Sequence, residues 1–79
     1  QKLNDTQAAA LSRYAYLVLH TQQRYADKQM LDGAFDILLA IGVKREILVD
    51  MYTKMRGAKE YGAKFVIIPD GPTLQEMYA

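Results

Sequence analysis

The chain has 79 residues, ten basic and nine acidic side chains for a net charge of +1, and no cysteine. That length makes one domain or a piece of one, whose modest core leaves it marginal without oligomerisation or a parent structure. The charge balance excludes the basic excess of a strong non-specific nucleic-acid binder, and the lack of cysteine excludes a disulfide framework and a thiolate metal site while favouring a reducing compartment.

Hydrophobic residues make up 51% of the chain, ample for a folded state rather than a disordered one. No apolar run approaches the roughly 18–20 residues needed to cross a bilayer; the longest are Tyr14 to Leu19 and Ile37 to Val43. No signal peptide is visible. Because the sequence begins with Gln1 rather than Met, the expectation is a single helical module, residues 1–79, cut from a larger chain.

The first helix is predicted over about residues 5–25. Asn4, Asp5 and Thr6 all offer side-chain oxygens for the orphan amides of a helix start. Ala8, Leu11, Ala15 and Val18 recur at helical spacing, and Tyr14, Tyr16, Leu17 and Leu19 add apolar groups on other faces. A helix apolar nearly all round is covered on several sides. In so short a chain, Tyr14, Tyr16 and Leu17 become candidates for contact with another protomer.

The second helix is predicted over about residues 28–41, capped by Asp27. Its stripe is Leu31, Ala34, Phe35, Leu38 and Ile41, with Asp32 and Asp36 off it. Phe35 and Leu38 are expected to be largely buried. Gly33 is either a weak point or a place of close helix approach, and Gly42 fits the position after a helix end, where φ is often positive. A third helix, about residues 44–56, carries Ile47, Leu48, Met51, Tyr52 and Met55 on one face and ends at Gly57 or Gly62.

The period then changes. Phe65, Val66, Ile67 and Ile68 are consecutive apolar residues bounded by Gly62 and by Pro69-Asp70-Gly71-Pro72. They read as a short strand over about residues 64–68. A lone strand leaves its backbone groups unpaired, so Phe65, Val66, Ile67 and Ile68 join the candidate oligomer interface. Pro72 opens a final helical turn. The predicted fold is thus mainly α, with three helices, a short C-terminal strand and that turn.

No residue pattern along the chain points to catalysis. His20 has no second histidine or cysteine to share a metal with and reads as a packed or exposed side chain. Asp32 and Asp36 share a helix face and read as a solvated surface rather than an acid–base pair. There is no glycine-rich phosphate loop, and Ser12 lacks the context of a nucleophile. The tyrosines and methionines sit at helical spacing and read as core or interface filler rather than a ligand pocket. The expectation is a non-enzymatic protein with no cofactor, no metal and no small-molecule substrate. The rival reading is a DNA-binding helix-turn-helix over about residues 34–56, with Lys44 and Arg45 opening the second helix. Val49 on the groove-facing side and Leu38 in place of a small residue stand against it. A small helical adaptor domain is the third reading.

Three stretches add a resemblance. They are Lys28-Gln29-Met30-Leu31-Asp32-Gly33-Ala34, Leu48-Val49-Asp50-Met51-Tyr52-Thr53-Lys54-Met55 and Phe65-Val66-Ile67-Ile68-Pro69-Asp70-Gly71-Pro72. In order and rough spacing they resemble the C-terminal end of SPFH proteins (stomatins, prohibitins, flotillins), the plant hypersensitive induced reaction branch above all. The likeness covers about residues 28–79. Asp70 stands where that branch commonly has histidine, Tyr14 to Leu19 is more apolar than the family's coiled coil, and the SPFH domain itself is absent. The resemblance implies an oligomerisation and scaffolding segment that contacts itself or sister subunits. It would do so at the cytoplasmic face of a membrane, reached only through parent domains.

Overall fold

Asn4 starts the first helix as a reciprocal cap. Its Oδ1 accepts from the Gln7 amide at 2.8 Å, and its own amide donates to Gln7 Oε1 at 3.0 Å. In the computed structural model, which describes residues 1–62 and 66–79, four helices follow: α1 Asp5–His20, α2 Tyr25–Ala40, α3 Arg45–Glu60 and α4 Gly71–Met77. α1 is the hub and packs against each of the others, while α2 and α3 touch only sparingly. Ala8, Leu11, Ala15 and Val18 are all buried, as their spacing predicts, and meet Leu48, Met51 and Leu74 in one core.

α1 stops at His20, short of the expected residue 25. Thr21 is extended (φ −90°, ψ 155°) and buried, its amide closing the last turn on Leu17 O. Asp27 does not cap α2 from outside. The helix begins at Tyr25, and Asp27 lies in its first turn, reaching back to accept from the Gln22 amide at 2.9 Å and from both Nε and Nη2 of Arg24 at 3.1 and 3.2 Å. These bonds, Arg24 foremost, hold its carboxyl below the usual carboxylate range.

Gly42 separates α2 and α3 into two helices. Its φ is +93°, and the amides of Gly42 and Val43 return to Leu39 O and Leu38 O, both at 3.0 Å, while Val43 is buried. The N-terminal segment clasps this turn. Gln7 Nε2 donates to Ile41 O at 2.8 Å, Gln1 Nε2 donates to Gly42 O at 2.6 Å, and Gln1 Oε1 accepts from the Lys44 amide at 2.9 Å. α3 runs past the expected residue 56 and through Gly57 to Glu60, and the chain turns at Gly62, where φ is +89°.

The strand expected over residues 64–68 is the main correction. Residues 64 and 65 lie outside the described residues. Residues 66–68 carry no strand pairing; among the described residues there is no β-strand at all. Val66 and Ile68 pack on the helical core while Ile67, between them, is 87% exposed. A segment whose burial alternates in this way covers helices with one edge and leaves the other to water, which can meet its backbone groups. Ser12 Oγ donates to Pro69 O at 2.6 Å and ties the segment to α1. The expected final turn is the helix α4, capped by Asp70 Oδ1 on the Thr73 amide at 2.9 Å. α4 is fastened at both ends. Gln75 Nε2 donates to Leu3 O at 3.2 Å and to Asp5 Oδ1 at 2.9 Å, and the Tyr78 hydroxyl donates to Asp50 Oδ2 at 2.6 Å.

Candidate functional site: two grooves beside α2

α2 uses its apolar residues unevenly. Leu31 and Leu38 are buried, Ala34 and Phe35 are half-buried, and Ile41 is exposed. The expected burial therefore holds for Leu38 and is only partial for Phe35. The ring of Phe35 meets the edge of Tyr14 at 6.2 Å between centroids on one side and the Arg45 guanidinium at 5.3 Å on the other. A further set, Met30, Ile37 and Ile41, is exposed and follows the same helical spacing through Gly33 and Ala34. Ile37 is 64% exposed and Met30 44%.

This stripe borders a groove of about 720 Å³ between α1 and α2, floored by Ala9, Ala10, Gly33, Ala34 and Leu38 and rimmed by Arg13, Gln29, Met30 and Ile37. Small side chains in the floor let a second helix come close. Gly33 is the informative member. A Cβ built on it meets nothing within 4 Å, so the packing of this chain does not require glycine there. Glycine inside a helix costs about 0.5–1 kcal/mol relative to alanine. The contrast is Gly42, where a Cβ would sit 3.0 Å from Gln7 Nε2 and φ is positive.

On the other side of α2, a cleft of about 530 Å³ opens between α2 and α3. Leu31, Phe35, Val49 and Tyr52 form its walls and Tyr14 its floor. Gln22, Gln23, Arg24, Tyr25, Lys28, Asp32 and Arg56 stand around it. Arg56 Nε donates to the Tyr52 hydroxyl at 3.3 Å. The Tyr14 phenol is pushed up to about 12, by burial first and then by Tyr52 and Asp32, with Arg56 pulling back.

The residues singled out from the sequence scatter over the surface. Tyr14 is spent inside the chain, between the two grooves. Tyr16 is exposed and stacks with the exposed His20, ring centroids 4.3 Å apart; Leu17 is half-buried against the core. Phe65 lies outside the described residues. Val66 and Ile68 face the core, and Ile67 faces solvent. Lys44 and Arg45 are exposed at the start of α3, but the Lys44 amide is held by Gln1 and the Arg45 guanidinium lies over Phe35. Asp32 and Asp36 are both exposed. Among the described residues no three histidine, aspartate or glutamate side chains group closely enough to hold a metal ion, and no helix is long and apolar enough to cross a membrane.

Both grooves escaped the sequence. The only signal for the first was the helical spacing of Met30, Gly33, Ile37 and Ile41, which runs beside the inner stripe of Leu31, Ala34, Phe35, Leu38 and Ile41. The second depends on how α2 and α3 splay, which no local pattern encodes. Comparison with family models, characterised proteins and solved structures finds no match to this chain.

Proposed function

We propose that this protein is a non-enzymatic assembly module that pairs with a second copy of itself through the outer stripe of α2. The observation that carries the reading is the exposed row Met30, Ile37 and Ile41 running past a glycine that the chain's own packing does not need. Exposed apolar patches at this density mark contact surfaces.

A second copy fits because the stripe complements itself. Met30 and Ile37 bracket Gly33 and Ala34 in sequence. An antiparallel pair of α2 helices about a two-fold axis between residues 33 and 34 sets Met30 against Ile37 of the other copy and Gly33 against Ala34. Large residues then oppose large and small oppose small, as an isologous interface requires. Small residues at the crossing bring helix axes towards the lower end of the usual 8–10 Å.

The resemblance to the C-terminal end of SPFH proteins supports the same class of activity, a scaffold working through subunit contacts. The narrower reading, an SPFH-like assembly that meets membranes through other domains, rests on that resemblance. The strand that would have closed such an assembly is no part of the proposal. The test is sedimentation equilibrium across a range of concentrations. The wild-type chain is expected to self-associate and the Met30→Lys/Ile37→Lys chain to stay monomeric with unchanged helix content. A wild-type chain monomeric at every concentration overturns the reading.

A further inference from the structure

The α2–α3 cleft is separate from the assembly stripe and differs from it in chemistry. Its floor and walls are aromatic and aliphatic, with Tyr14, Phe35, Tyr52 and Val49 in the lining. Its edges carry charge unevenly. Arg24, Lys28 and Arg56 face one acidic residue, Asp32. Arg24 is already satisfied by Asp27, whereas no salt-bridge partner for Lys28 or Arg56 occurs among the described residues. Arg45, outside the cleft lining, lies over the Phe35 ring at 5.3 Å.

Size and shape narrow the occupant. Tyr25 and Phe35 bound the cleft along α2, and at 1.5 Å rise per residue they stand about 15 Å apart. That length takes about four or five residues of extended chain at 3.3–3.6 Å each. The cleft is partly open to solvent, so a chain can enter it. Gln22 and Gln23, in the loop before α2, bring amide groups to one end, where peptide N–H and C=O groups can be matched.

We infer that this cleft binds a short acidic segment of another protein, with one large apolar side chain seated against Phe35 and Tyr14 and flanking carboxylates held by Lys28 and Arg56. The apolar base supplies the hold and the cations supply register and encounter rate. Phosphates would also meet the cations. However, Asp32 stands beside Lys28 on α2, and the net charge of the chain is only +1. A polyphosphate strand, whose binding grows with each cation it meets, gains little from such an edge.

The probe is a dye-labelled peptide of alternating glutamate and leucine, with its glutamine-for-glutamate counterpart and a short oligothymidylate alongside. Fluorescence anisotropy gives affinities, and amide shifts in a nitrogen-15 spectrum locate the contact. The acidic peptide is expected to bind with shifts at Gln22, Gln23, Val49 and Tyr52. The glutamine peptide should bind about tenfold or more weaker, and Lys28→Gln/Arg56→Gln should weaken the acidic peptide by a similar factor. The Met30→Lys/Ile37→Lys chain should bind it unchanged, which keeps this inference separate from self-association. No binding of the acidic peptide, equal affinity for both peptides, shifts confined to other surfaces, or tighter binding of oligothymidylate would each overturn it.

Discussion

α2 and α3 are helices of equal length, sixteen residues each, joined by one turn, and they spend their apolar residues differently. α3 buries Ile47, Leu48, Met51 and Met55 and leaves only Val49 and Tyr52 of its large apolar residues exposed, both on the α2–α3 cleft. α2 buries Leu31 and Leu38 and leaves Met30, Ile37 and Ile41 in solvent. The first pattern is what a small fold needs in order to close. The second leaves a surplus apolar row on one helix, which the proposed self-pairing would cover. Their interior glycines extend the contrast. Gly57 in α3 and Gly33 in α2 both have room for a methyl group, but only Gly33 lies within an exposed apolar stripe.

The largest effect expected from this contrast is in stability. Leu48 is fully buried, and Leu48→Ala should cost about 2–5 kcal/mol in a denaturant titration. Ile37→Ala, on the outer row of α2, should stay within about 0.5 kcal/mol for the monomer. Equal losses would mean that the two rows do the same work. Phe35→Ala should fall between them, since its ring is only half-buried.

Next comes Gly42→Ala. The positive φ and the approach of Gln7 Nε2 make a side chain there strained, and a loss of more than about 1 kcal/mol is expected. The opposite sign is expected at Gly33 and Gly57. Alanine at either should raise monomer stability by about 0.5–1 kcal/mol. Only Gly33→Ala should also weaken self-association, because the added methyl holds the two helices apart. If both substitutions leave assembly untouched, Gly33 has no contact role.

The smallest effect concerns pH. The carboxyls of Asp27, Asp50 and Asp70 are held below their ordinary value, chiefly by bonds from Arg24, Tyr78 and Thr73 respectively. A depressed folded-state pKa contributes stability above the unfolded value near 3.9 and loses it as pH falls through the folded value. Acid titration should therefore loosen the α1–α2 loop and the seat of α4 below about pH 4. Asp50→Asn should shrink that acid step; an unchanged step would remove the Tyr78 bond from the account. Burial raises Tyr14 in the opposite way. Its contribution is complete below the unfolded value near 10 and fades as pH rises towards about 12.

Much of the helical plan was legible. The inner row of α1, the inner row of α3 and the turn at Gly42 follow from spacing and from the need for positive φ. What was not legible depends on contacts far apart in sequence. Nothing local in Gln1 or Gln7 announces that they clasp the Gly42 turn. Val66 to Ile68 reads as a strand because each residue favours extended backbone, yet extension does not create a pairing partner, and the alternation of burial suits an edge laid on helices equally well. Asp27 looked like a cap, yet it lies in the first turn of α2 and accepts from the Gln22 amide in the preceding loop, so it caps no amide of the helix. On α2 the inner stripe masked the outer one, because Ala34 and Ile41 fit both.

The most direct test of the central claim uses the absence of native cysteine. In an antiparallel α2 pair centred between residues 33 and 34, Gly33 of each copy lies within the Cα separation of about 4.4–6.8 Å that a disulfide spans. Gly33→Cys should oxidise rapidly to a covalent dimer. Met30→Cys mixed with Ile37→Cys should give predominantly the mixed dimer, while Val49→Cys, equally accessible on α3, should remain mostly reduced. Crosslinking at Val49 as fast as at Gly33, or no preference for the mixed Met30–Ile37 pair, would contradict an antiparallel contact through the outer face of α2.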